Sequence, residues 1–206
     1  MLDEELTRPE AGAHAPFPEA LRRRLPERDP EALAAFFDHF FDRVYGYVRR
    51  LVRDEHLAED LTQDVFLHVH RAFATYDPAR ELRPWVFTIA TNKVRDHWRS
   101  RRHHDAQREA SVERDGAADD VGAEVPGPAA GLEGLELGDR VRQAVEELPE
   151  GMRMTVLLRL YEGLSFEVIG GILDRSEVAV RKRYSRALEV LRDALGPTWR
   201  THSEGT

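Results

Sequence analysis

The chain has 206 residues, 33% of them charged and 41% hydrophobic, with a net charge of −8 and no cysteine. This balance fits a folded, water-soluble chain and excludes disulfide staples and thiolate metal sites. No apolar run approaches the ~20 residues that span a bilayer. The N-terminal segment lacks the basic start and apolar stretch of a secretory signal, so a cytoplasmic protein without membrane insertion is expected.

Residues 1–28 are rich in Pro, Ala and Glu and weakly periodic. They read as a poorly ordered extension with a short helix near Leu21 to Leu25. Asp29-Pro30 is a helix start, the Asp as cap and the Pro at the first helical position. Phe36, Phe37, Phe40, Phe41, Val44, Tyr47, Val48, Leu51 and Val52 then recur at helical spacing with one face buried. Asp54 caps a second helix, with Leu57, Leu61, Val65, Phe66, Val69 and Phe73 as its core stripe. Tyr76-Asp77-Pro78 ends it, because Pro disfavours a helical residue before it. Pro84 opens a third helix containing Trp85, Ile89 and Trp98, whose far end becomes the basic run RSRRHH.

Residues 103–136 lack periodicity and carry five glycines and two prolines among many acids, from Asp105 to Glu136. This is a flexible acidic linker. Beyond it, Val141, Val145 and Leu148 mark a helix that Pro149 ends, and Met152 to Leu160 mark another, stopped by Gly163. Ser165 caps the short helix SFEVIGGIL. After a tight turn at Asp174-Arg175, Ser176 caps a last helix that reaches Leu195 and ends at Gly196-Pro197. With no strand signal, the expected fold is all-α: two small helical domains, residues 29–102 and 137–196, joined by the linker and followed by a tail at 197–206.

The negative average hides blocks of charge. Arg83, Lys93, Arg95, Arg99, Arg101 and Arg102 face the lone acid Asp96 between positions 83 and 104. Between positions 175 and 192, Arg175, Arg181, Lys182, Arg183, Arg186 and Arg192 face only Glu177 and Glu189. Two basic surfaces separated by an acidic tether are the footprint of a polyanion binder. In GLSFEVIGGILDRSEVAVRKRYSRALEVLRDAL, a short helix packing by Phe166, Ile169 and Leu173 meets a sharp turn. The longer helix after it buries Val180, Tyr184, Leu188 and Leu191 and exposes Arg181, Lys182, Arg183 and Arg186. This is helix-turn-helix grammar, suited to the DNA major groove. Gly170-Gly171 sits inside the first of these helices, where glycine costs ~1 kcal/mol relative to Ala.

The third helix, RPWVFTIATNKVRDHWRSRR, interleaves basic groups with Trp85 and Trp98, which suits unstacked bases. Packing in the core is the competing role for both tryptophans. In AEDLTQDVFLHVHRA, Asp60, Gln63 and Asp64 share one helical face. No base or pocket converges on them as catalysis would require. His68 and His70, two apart, point in different directions and lack helical metal spacing. No catalytic, cofactor or metal site is expected. The acidic face is either solvated or gripped by a basic protein partner.

These blocks, in this order and with this gap, resemble a bacterial RNA polymerase sigma factor. The likeness is to the extracytoplasmic-function group, which keeps only the domains called sigma-2 and sigma-4. It covers roughly residues 30–102 and 139–195. The resemblance implies that Asp60, Gln63 and Asp64 face the clamp helices of the polymerase β′ subunit, and that the second domain meets the β flap. It implies that the segment from Tyr76 to Arg102, with Arg80, Trp85, Asn92, Lys93, Arg95, Asp96 and Arg99, reads the −10 element of promoter DNA. The last helix, with Ser176, Glu177, Arg181, Lys182, Arg183 and Arg186, would read the −35 element. An anti-sigma factor is the regulator that the family leads one to expect. The chain departs from the family pattern at Thr88 and Thr91, where many relatives carry Arg, and at Gly170-Gly171.

On the residues alone a second reading stands beside this one: a helix-turn-helix regulator whose first domain is a sensor or partner-binding module. An enzyme using Asp60, Asp64 and His68 ranks last, because nothing in the sequence suggests a substrate.

Overall fold

The computed structural model describes residues 15–110 and 137–196, and the regular structure of these residues is entirely helical. Residues 1–14, 111–136 and 197–206, which include most of the expected linker and the tail, lie outside the described residues. Among the described residues no helix is long and apolar enough to cross a membrane.

The first unit begins earlier than the Asp29-Pro30 cap. Phe17 packs on Phe36 and Phe40, α1 (Glu19–Arg22) follows, and Leu25 is fully buried. Within the expected extension, Leu25 therefore joins the core, and Phe17 and Leu21 pack against it. Helix α2 (Pro30–Val52) starts where Asp29 accepts a hydrogen bond from the Ala32 amide at 3.0 Å. It ends at Arg53 in the left-handed region, and Asp54 at once caps α3 (Glu55–Ala72) through the Leu57 amide at 2.9 Å. A single 3₁₀ turn, Phe73–Thr75, leads to α4 (Leu82–Ala110). The last turns of α4 extend past residue 102, so residues 103–110 continue the helix instead of beginning the linker.

These three long helices close on Phe36, Phe40, Val44, Tyr47, Val65, Val69, Phe73, Phe87 and Val94. The aromatic run of α2 divides. Phe36 and Phe40 are core, whereas Phe37 is 46% exposed and Phe41 is half-buried. Phe37 and Phe41 stack on each other at 4.8 Å and lean on Phe66 of α3 at 5.2 and 5.8 Å. A helix of this width can bury one stripe only, and consecutive phenylalanines lie on opposite sides of its edge. Phe37 is thus a correction to the expected buried face.

The second unit contains α5 (Leu137–Glu147), α6 (Glu150–Val156), a π-helical turn Leu157–Tyr161, α7 (Phe166–Leu173) and α8 (Glu177–Leu195). Ser165 caps α7 through the Val168 amide, and Ser176 caps α8 through the Ala179 amide. Asp174 takes the left-handed turn position between them, at φ 53. Gly170 explains itself here. A Cβ at that position would stand 2.6 Å from the Arg175 carbonyl oxygen, while one on Gly171 would meet nothing within 4 Å. The first glycine lets the turn fold tightly back on α7, and the second has no such role.

The two units touch along a seam where α4 meets α7 and α2 meets α6. Arginines cross it toward main-chain carbonyls. Arg153 of α6 donates to the carbonyls of Leu51 and Leu148, both at 2.8 Å. Arg83 and Arg95 of α4 donate at 3.3 Å to the carbonyls of Glu162 and Leu173. Arg50 lies over the Tyr161 ring at 4.2 Å. At the centre, Arg43 of α2 pairs with the carboxylate of Glu162, which is 1% exposed.

Candidate nucleic-acid and partner interface

The acidic face is built by α3. Its buried stripe, Ala58, Leu61, Thr62, Val65 and Val69, points at the core and turns Asp60, Gln63 and Asp64 outward, where all three are exposed. Asp64 is engaged at its edge by Lys93 of α4, 3.7 Å away. Leu67 continues the same face, three residues beyond Asp64, and is 55% exposed. With the Phe37–Phe41–Phe66 ledge beside it, the surface has acid at one end and apolar groups at the other, the mixture found at protein interfaces. The Leu67 signal was available in the sequence, since it falls off the Leu61–Val65–Val69 stripe and on the Asp60–Asp64 side.

His68 and His70 are both exposed. Among the described residues no group of three or more His, Asp or Glu side chains could hold a metal ion.

On α4, Asn92, Asp96 and Arg99 are exposed, with Arg99 donating to Asp96 at 3.2 Å, and Lys93 and Arg95 are half-buried. Arg80 precedes the helix and is exposed. Its carbonyl receives the Tyr76 hydroxyl at 2.6 Å. Trp85 is half-buried against Phe73 and Tyr76, at 5.7 and 4.7 Å, and Trp98 packs on the core. Both tryptophans therefore hold the unit together. The departures at Thr88 and Thr91 are also accounted for by packing. Thr88 donates to the Pro84 carbonyl at 2.7 Å, and Thr91 is fully buried with its hydroxyl 2.9 Å from that of Tyr47. An arginine at position 91 would have no room.

On α8, Arg181, Lys182 and Arg186 are exposed. Arg181 is bound to the Glu177 carboxylate at 2.6 and 2.9 Å and lies 4.7 Å over the Phe166 ring. Its guanidinium is thus held between Glu177 and the Phe166 ring. Ser176 uses its hydroxyl as the helix cap. Arg183 corrects the expectation of full exposure. It is half-buried beside Gly151, and burial, followed by the nearby Arg175 and Arg95, pulls its pKa below the usual arginine value. Arg95, Arg175 and Arg183 thus form a cationic cluster on the seam. Arg95 of α4 is within electrostatic reach of Arg183 on α8 there.

The chain matches two family descriptions: Sigma-70 region 2 over residues 36–104, and Sigma-70, region 4, over residues 138–191. It is 36% identical over 166 residues to the RNA polymerase sigma factor CarQ of Myxococcus xanthus, covering 81% of this chain and 90% of that one. It is 33% identical over 179 residues to the ECF RNA polymerase sigma factor SigK of Mycobacterium sp. (strain KMS), covering 86% and 90%. In fold it resembles CnrH, solved in complex with the cytosolic domain of CnrY. That match has a TM-score of 0.60 at 21% identity and covers 91% of this chain and 98% of the other.

Proposed function

This chain belongs to the extracytoplasmic-function group of the sigma-70 family, and from that membership we propose how its surfaces divide the work of transcription initiation. It is a sigma factor that binds core RNA polymerase and directs it to promoters. Asp60, Gln63 and Asp64, extended by Leu67, dock the first unit on the β′ clamp helices, a basic partner matching an acidic face. Arg80, Asn92, Lys93, Arg95, Asp96 and Arg99 serve the separated −10 element, with Trp85 shaping the surface from behind. Arg181, Lys182, Arg183 and Arg186 serve the −35 duplex, Glu177 positions Arg181, and Ser176 fixes the start of the reading helix.

The observation that carries this reading is the pairing, in one chain, of an exposed acidic helix face with a capped, tightly turned basic helix. The factor itself contributes binding and melting, and bond formation is the work of polymerase. The sigma factor RpoE of Bartonella quintana, similar in fold and solved in complex with the anti-sigma factor NepR, supports regulation by an anti-sigma factor.

The promoter geometry adds a requirement. The −10 and −35 elements lie roughly 25 base pairs apart, about 85 Å at 3.4 Å per step. In the structure Arg95 of one reader touches Leu173 beside the other. The two units must therefore part before both elements can be read.

In vitro transcription with core polymerase on genomic fragments tests the reading. Added factor should create discrete start sites preceded by a shared pair of elements. Core polymerase that initiates identically with and without the chain would sink it.

A further inference from the structure

We propose that Val178 is a base reader: at the start of α8, its methyl groups pack against the C5-methyl of a thymine in the major groove of the −35 element. This rests on the sigma-factor reading and deepens it, adding an apolar contact to the polar ones of the same helix.

Three large apolar side chains stand exposed among the described residues. Phe37 and Leu67, 46% and 55% exposed, belong to the ledge and the acidic face of the first unit. Val178 is 75% exposed and lies on the second unit. It does little for the fold. Valine is a poorer helix former than alanine, and at this exposure it buries too little apolar surface to offset that loss.

Val178 is the second residue of α8, and the Ser176 cap and the left-handed Asp174 fix where that first turn begins. A recognition helix enters the major groove by its N-terminal end, whose side chains meet base edges. At about 3.6 residues per turn, Val178 lies opposite Val180, Ala187 and Leu191, which are buried. Its neighbours on the outer face are Arg181 and Lys182, one turn on, and Ser185, two turns on, all exposed. Glu177 would set a negative charge beside it, but Arg181 engages that carboxylate at 2.6 and 2.9 Å. The next acid along the face is Glu189, about three turns away. Val178 is thus an apolar group set among cations. A protein partner would call for a contiguous apolar patch, and no other large apolar side chain of the second unit is exposed among the described residues. The major groove instead offers phosphates to the cations, and the thymine C5-methyl is the apolar group on its base edges.

The full chain assembled with core polymerase tests this. A promoter found by start-site mapping is rebuilt with each −35 thymine, on either strand, replaced singly by deoxyuridine, which deletes the methyl and keeps the base pair. One such replacement should lower wild-type initiation roughly fourfold, the factor carried by burial of one methyl-sized group. In Val178→Ala, which withdraws the methyls that meet the base, the same replacement should cost less than about twofold. Thermal unfolding of Val178→Ala should be unchanged or slightly higher, which separates lost reading from lost folding. Wild-type initiation indifferent to every replacement overturns the proposal, and so does a replacement effect of equal size in Val178→Ala. Either outcome leaves the sigma-factor reading standing, since start sites still form. A chain that creates no start sites fails that reading and takes this proposal with it.

Discussion

Lys93 Nζ lies 3.7 Å from the Asp64 carboxylate, so the helix proposed to read the −10 element is tied to the face proposed to dock on polymerase. Asp60, one turn earlier on the same face, is exposed. Reversal of either charge, in Asp60→Lys or Asp64→Lys, should weaken core binding about tenfold or more, since like charge set against a basic partner costs well beyond a lost rim contact. Helix content should not change. Fluorescence anisotropy with labelled factor measures the affinity and circular dichroism the helix content, and unchanged affinity would remove the face from the docking surface.

Arg183 must leave its half-buried position before it can meet DNA. Arg183→Ala should reduce −35-dependent initiation by about 1–3 kcal/mol if the guanidinium reads a base edge. Lys182→Ala or Arg186→Ala should instead weaken binding evenly across sequences and lower the salt slope by about 1, as for phosphate contacts. Run-off transcription on intact and scrambled −35 sequences separates the two. Equal loss on both templates would move Arg183 to the phosphate class.

The two neighbouring glycines should behave oppositely. Gly170→Ala drives a methyl into the Arg175 carbonyl, a main-chain atom held in the turn, and should lower stability by about 1–3 kcal/mol. Gly171→Ala meets open space and should raise it by up to about 1 kcal/mol, through the better helix propensity of alanine. Thermal unfolding of the two single variants checks this, and a shared direction of change would refute it.

Arg153 is 7% exposed, and burial pulls its pKa down to about 10, which still leaves it charged at neutral pH. It satisfies carbonyls on both units. Arg153→Ala should cost about 2–4 kcal/mol by removing two charge-assisted bonds and stranding their acceptors. Chemical denaturation should also show the transition of the second unit separating from that of the first. A loss below about 0.5 kcal/mol would place Arg153 among surface residues.

Helix starts were plain in the sequence. Asp29, Asp54, Ser165 and Ser176 each cap a helix by the bond their side chains advertise. The acidic stripe of α3 and the turn before α8 were legible for the same reason: local spacing fixes them. Phe37 and Phe41 were not placed correctly, because four closely spaced phenylalanines do not announce which stripe a helix will bury. Arg183 and Glu162 lie further out of reach. Arg183 is covered by Gly151 of a helix distant in sequence and lies near Arg95 of the other unit, and the partner of Glu162 is Arg43, 119 residues away. Residues 15–28 escaped for a related reason, since Leu25 and Phe17 are too few to show a period, yet the first joins the core and the second packs against it.

Three bonds of the seam depend on the side chain of one partner only. Arg83, Arg95 and Arg153 must be arginines to reach across, but what they grasp at Glu162, Leu173 and Leu51 is the main-chain oxygen that every amino acid carries. Substitution at Leu51 or Leu173 changes the packing around an acceptor without deleting the acceptor. A second unit exchanged for one of different sequence but the same helical path would offer carbonyls in the same places. A chimera that also kept Arg153 and Glu162, which the second unit supplies, would inherit the closed arrangement along with a new promoter preference.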